Sequence, residues 1–233
     1  MSAAFDYDTH RFAIGGGGAS SGTRWHAVDL ESLAPRVALA RDEAHLEGRK
    51  PAGVESFSAC GVKVQLLRAM GPFAYDSPWL TKLRCERCSW VVAIDRGTIE
   101  QEIALYVADA GEDPRGELLR QIFTAILADA PPGQPGTADH RSDLLAHAAI
   151  HRPRLTVCQG CMDHGCRAAH GPAATSCPHR EVLCLECSFT AGPWAHEREG
   201  SLSGECTVIS PCSTLLALAA HYDVALPGTE GRR

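Results

Sequence analysis

The first hundred residues alternate short apolar runs with glycine or polar breaks, a pattern of strands and turns. Residues 10–14 and 23–28 read as strands separated by a glycine turn. Asp29 and Ser32 are candidate caps for a helix near 33–47, with Pro35 in its first turn and Gly48 just past its end. "SACGVKVQLL", "WLTKLRC" and "SWVVAID" are strand-like, which puts Cys85 and Cys88 in the tight turn of a hairpin. The period then lengthens. Helices are predicted near 98–109, capped by Thr98, and near 116–129, with Leu118, Leu119, Ile122, Ile126 and Leu127 on the apolar face. After the loop "APPGQPGTAD" a short helix runs from Ser142 to His151 and ends before Pro153. The rest is poor in long helices until "CSTLLALAAHYDV", a helix packed through Leu215, Leu216, Leu218 and Ala219. The expected class is α+β. A mixed domain, 1–151, carries a CxxC…HxxxH finger, and a small zinc-knuckle or ribbon domain spans 152–233.

Composition narrows the chemistry. A chain of 233 residues with 45% hydrophobic and 21% charged residues can bury an ordinary core, so metal would add to that core rather than replace it. The N-terminus lacks a basic start followed by an apolar run, and no stretch approaches a membrane span of ~18 apolar residues. A cytoplasmic protein without membrane contact is expected. In that reducing compartment eleven cysteines, an odd number, do not read as a disulfide framework. All but Cys60 lie after residue 84, in CxxC pairs or close to one, which reads as metal ligation.

Three ligand sets follow. Cys85 and Cys88 have no second CxxC nearby, but His147 and His151 lie at i and i+4 on one helix face, able to share a tetrahedral ion. The two pairs are separated by about 58 residues. Cys60 is the substitute ligand, or else a small buried residue beside Gly61. Cys184 and Cys187 repeat the first turn, "LRCERCS" against "LCLECS", and Cys206 and Cys212 lie downstream. Cys212 falls at a helix start, where open N–H groups favour a thiolate. Between them, "CQGCMDHGCRAAHGPAATSCPH" offers seven donors; Cys158, Cys161, Cys166 and Cys177 are the chosen set, with His164, His170 or His179 able to replace one of the last two.

"LCLECSFTAGPWAHEREG" followed by "ECTVISPCSTLLALAAHY" resembles a pattern in small zinc-finger-like proteins of actinobacteria and actinophages. The likeness covers residues 182–222, with a weaker echo at 83–92 and 143–151. It implies metal ligation by Cys184, Cys187, Cys206 and Cys212 and an actinobacterial origin, and carries no activity with it.

Catalytic motifs do not survive their context. "GASSG" matches G-x-S-x-G at Ser20, but four glycines precede it and the strand-like "TRWHAV" follows where the motif needs a helix. "HEREG" lacks the second histidine of a metalloprotease helix, and "PCST" has no paired H-x-E. Trp79, Trp90, Trp194 and Phe189 read as shields for the knuckles. The expectation is a non-enzymatic zinc-binding module that recognises a protein or acts as a regulator. Its alternatives are a nucleic-acid-binding finger, an iron–sulfur redox sensor and a zinc enzyme. A net charge of −6 with only three lysines opposes phosphate binding, although Arg84, Arg87, Arg152, Arg154, Arg167 and Arg180 offer a local basic face.

Overall fold

A computed structural model describes residues 12–17, 25–29, 55–66, 85–129, 138–190 and 207–227. The helix expected near 33–47 lies outside them. The chain mixes helices with antiparallel strands, compatible with an α+β class. It falls into two compact units that interleave along the sequence: Met1–Ile99 with Pro131–Asp143, and Glu100–Ala130 with Leu144–Arg233. The sequence reading draws a single boundary, between residues 151 and 152.

The first unit holds an antiparallel sheet of β1 (Phe12–Gly17), β2 (Trp25–Asp29), β3 (Glu55–Phe57) and β4 (Lys63–Leu66), in the order β2-β1-β4-β3. The single strand expected at "SACGVKVQLL" is broken by a tight turn. The Ser58 N–H donates to the Val62 carbonyl at 2.8 Å, and Gly61 takes φ +83°, a conformation that L side chains resist. "SWVVAID" is not a strand but part of helix α1 (Glu86–Arg96). Ser89, Trp90, Val91, Val92 and Ala93 are all buried, and a run buried on every side carries no period to separate strand from helix. Cys85 is its N-cap, and Gly97, at φ 69°, ends it in the left-handed conformation. The Thr98 N–H helps close that end by donating to the Ala93 carbonyl at 2.9 Å. Its buried hydroxyl has no hydrogen-bond partner among the described residues, so Thr98 is not the expected side-chain cap.

The helices that follow are α2 (Ile99–Ala108), α3 (Pro114–Asp129) and α4 (His140–Ile150). Then come β5 (Pro153–Thr156), α5 (Gln159–His164), α6 (Cys166–His170), β6 (Glu181–Cys184), α7 (Leu185–Thr190) and α8 (Ser213–His221). In the second unit α3 buries Leu118, Leu119, Ile122, Phe123 and Ile126 and packs on α8 and β5. Phe123 joins the apolar face, whereas Leu127 is only half-buried. On α8, Leu215 and Ala219 face inward and Leu216 is exposed. β5 and β6 pair antiparallel, Pro153 opposite Cys184, and a bridge from Leu183 to Ile209 extends β6 on its other edge. Among the described residues no helix is long and apolar enough to cross a membrane.

One polar knot ties α2 to β5. Asp109 Oδ2 accepts from Arg152 Nε at 2.6 Å and Arg154 Nε at 3.0 Å, and the Asp109 carbonyl accepts from the Leu155 N–H at 2.7 Å. Burial pushes the Asp109 carboxyl up, but the hydrogen bond and charge of Arg152, then those of Arg154, outweigh it and hold the group below its ordinary value. A depressed carboxylate stabilises the fold above its unfolded pKa, and that contribution is lost as pH falls through the folded value. Asp109→Asn should therefore cost about 1 kcal/mol at neutral pH, a discounted figure because the pair is partly solvated. The gap to wild type should close below about pH 4. Urea unfolding of both proteins at matched pH checks this, since any acid loss common to both cancels in the difference.

Candidate metal centres

All three CxxC turns work the same way, and not as hairpin knuckles. Cys85 is the N-cap of α1 with extended backbone and Cys88 lies in its first turn; Cys158 and Cys161 stand in the same relation to α5. Cys184 closes β6 immediately before α7, which carries Cys187. A three-residue step across a helix start turns both sulfurs to one side. Cys212, at the N-cap of α8, uses the same position singly, as the sequence suggests.

In the first unit His26, Cys60, Cys85 and Cys88 converge, all four buried. His26 comes from β2 and Cys60 from the turn between β3 and β4. The Cys85 N–H donates to the Trp25 carbonyl at 2.8 Å and the Ala59 N–H to the Ala27 carbonyl at 2.8 Å, which fastens the helix start and the turn to β2. Cys60 Sγ lies 3.8 Å from Cys85 Sγ and 3.3 Å from His26 Nδ1, and Cys88 Sγ lies 3.8 Å from the same nitrogen. The cluster is continuous with an apolar core of Ala27, Ala59, Val91 and Val92. His147 and His151, grouped in the sequence reading with Cys85 and Cys88, are not here.

In the second unit His151 lies with Cys184, Cys187 and Cys212. Its Nδ1 is 3.6, 3.4 and 3.8 Å from the three sulfurs. His151 follows the last turn of α4, and β5 leaves directly afterwards to pair with β6, so the β5–β6 ladder carries the histidine to the cysteines. Ser188, the serine of the repeated turn, is a clip: its hydroxyl donates to the Cys184 carbonyl at 2.7 Å and accepts from the Val208 N–H at 2.8 Å. His147 is exposed and belongs to no cluster among the described residues; its ring meets His151 edge-on at 4.9 Å. Cys206, expected as the fourth ligand, lies outside the described residues.

The third group is Cys158, Cys161, His170 and Cys177. His170 Nε2 is 3.2 Å from Cys158 Sγ and 3.6 Å from Cys177 Sγ. His170, an alternate in the sequence reading, thus takes the place given to Cys166. Cys166 stands beside the group, its sulfur 3.1 Å from Cys161 Sγ. His164 and His179 are not members; the His179 ring lies 5.9 Å from that of His170.

These distances fit one shared ion better than hydrogen bonds. An imidazole nitrogen offers a single in-plane lone pair or a single N–H, yet His151 Nδ1 faces three sulfurs at near-equal range. A tetrahedral ion with bonds of about 2.3 Å to sulfur and 2.0–2.1 Å to nitrogen spaces its ligands by about 3.7 Å (S–S) and 3.5 Å (S–N). Protonation tells the same story. His26 is pushed up to about 9: burial opposes the charge, but the hydrogen bonds and negative charge of Cys60 and Cys85 prevail. Cys212 is pulled down to about 4, chiefly by Cys184 and, against burial, by the open N–H groups at Leu215 and Thr214. Cys184 is pushed up, first by Cys212. Cys177 settles near 6, since the N–H groups of Cys158 and His179 outweigh burial. Each cluster thus contains thiols that compete for positive charge, the demand a divalent cation satisfies.

Among the described residues every clustered donor is a cysteine or histidine, three to one in each group. His26 has no counterpart in the sequence reading; the signal available was a histidine inside an apolar strand beside Trp25, with Cys60 in a glycine turn. Searches against protein-family models, characterised proteins and solved structures found nothing that matches the chain.

Proposed function

We propose that the protein is a non-enzymatic zinc-binding module that recognises a protein partner, its two units each built around closed Cys3His centres. The observation that carries this reading is the convergence of four protein donors in each of three clusters. A catalytic zinc keeps three protein ligands and an open fourth position, whereas a structural zinc is closed by four. The donor atoms of each cluster lie within 4.8 Å of one another, which suits a single ion. An iron–sulfur cluster distributes its thiolates over different irons and spreads them further apart.

Charge supports a protein partner over nucleic acid. Three thiolates, a neutral imidazole and a divalent ion leave one negative charge per centre, so three centres take the formal −6 to −9. Half of the arginines that suggested a basic face are also engaged: Arg87 pairs with Asp143 at 2.7 Å, and Arg152 and Arg154 both pair with Asp109. At about 150 mM salt the metallated protein should bind random duplex DNA more weakly than the ~10⁻⁴–10⁻⁶ M of non-specific DNA-binding proteins. Fluorescence anisotropy at two salt concentrations measures this. Micromolar binding at the higher salt would replace the protein-partner reading with a nucleic-acid-binding one.

A further inference from the structure

We propose that Cys161 and Cys166 are a peroxide-sensitive dithiol pair whose oxidation to a disulfide removes Cys161 from the third centre and releases its metal. The inference rests on the reading of Cys158, Cys161, His170 and Cys177 as a metal centre. Cys166 is the one described cysteine outside the three groups. It opens α6 directly after Gly165, is partly exposed, and places its sulfur 3.1 Å from Cys161 Sγ. That separation is too short for two sulfurs bound to one tetrahedral ion, which keep about 3.7 Å. It is within about 1 Å of the 2.03–2.05 Å bond of a disulfide. The third centre therefore has five donors for four positions, and the fifth touches a ligand rather than the ion.

The first centre lacks both features that make this pair reactive. All four of its ligands are buried, and no further described thiol adjoins it. The second centre has no adjoining thiol among the described residues either. Among the described residues the third centre is thus the one where a partly exposed thiol outside the group adjoins a ligand, and oxidant acts there.

The chemistry balances with hydrogen peroxide as oxidant. The Cys166 thiolate attacks one peroxide oxygen, the O–O bond breaks and hydroxide leaves, giving Cys166 sulfenic acid. The Cys161 thiolate, given up as a ligand, attacks the Cys166 sulfur; the S–S bond forms, the S–O bond breaks and a second hydroxide leaves. Two electrons pass from the two sulfurs to the peroxide; the two hydroxides take up the proton lost by Cys166 and one from solvent, because Cys161 as a metal ligand has already lost its own, and the products are a disulfide and two waters. Cys158, His170 and Cys177 remain, one donor short of a closed tetrahedral shell.

The test uses full-length protein loaded with zinc and titrated with hydrogen peroxide. Zinc release is followed with a chromogenic chelator and disulfides are mapped by peptide mass spectrometry. Wild type is expected to release one of its zinc equivalents as the Cys161–Cys166 disulfide appears, and to recover it with reductant and zinc. Cys166→Ser and Cys166→Ala should hold that equivalent at the same dose. Release from both variants at the wild-type dose, or a first disulfide joining another pair, overturns the inference. Zinc content before peroxide separates the two readings. A protein without zinc in this centre that still forms the Cys161–Cys166 bond overturns the metal reading and the release with it, and leaves the dithiol pair standing.

Discussion

Cys212→Ser is expected to lose one metal equivalent and to strip amide protection from residues 181–190 and 207–222, while the His26 centre keeps its metal. Two roles end together, although the serine can still cap α8. Cys212 is one of the four donors of the His151 centre and the one thiol of that centre whose surroundings favour its ionised form. Structural zinc contributes an apparent ~10–16 kcal/mol in small fingers, comparable to the whole stability of a typical domain, ~5–15 kcal/mol. The elements it joins here are short: β6 has four residues and α7 six. Their apolar contribution is chiefly Val182, Leu183 and the Leu215 face of α8. Hydrogen exchange read by mass spectrometry, alongside metal analysis, tests this. Unchanged metal content with unchanged protection would remove Cys212 from the ligand set.

His26→Ala should be the most damaging substitution in the first unit, and His147→Ala nearly silent. His26 is 3% exposed, at the centre of a cluster that is itself part of the core. Without the imidazole the ion has three thiolates and a void, and if the ion leaves, Cys60, Cys85 and Cys88 stay buried without their countercharge. Loss of a structural metal belongs with the mutational effects above about 4 kcal/mol. His147 is exposed and joins none of the three clusters among the described residues, so its removal should fall within about ±0.5 kcal/mol with full metal content. Thermal unfolding and metal analysis of the two variants, side by side, decide between His26 and the HxxxH pair. Metal lost by His147→Ala and retained by His26→Ala would reverse the assignment.

The contrast between those histidines shows what the sequence made legible. Ligands three residues apart are visible because local geometry alone brings them together: each CxxC lies across the start of a helix, and Cys212 was readable as an N-cap from the apolar run behind it. His147 and His151 also share a face by local geometry, but a face says nothing about its destination. The β5–β6 ladder directs His151 to Cys184 and Cys187. His26 and Cys60 are 34 residues apart and meet Cys85 only through the sheet and the turn between β3 and β4. No spacing rule reports a pairing made by strand register. "SWVVAID" misleads for the opposite reason: a helix buried on all sides loses the period that distinguishes it from a strand, and the N-cap at Cys85 and the left-handed Gly97 are the signals that remain. The mixed helix-and-strand class, the long helices and the clustering of cysteines were therefore readable, and the partners across the fold were not.

The most direct test of the three centres is elemental analysis combined with native mass spectrometry on full-length protein grown in metal-replete medium and desalted under reducing conditions. Three tightly held zinc ions per chain and a colourless solution are expected. Iron as the principal metal with visible thiolate-to-iron absorption, or a folded chain that holds no metal, would contradict the assignment of three closed zinc centres.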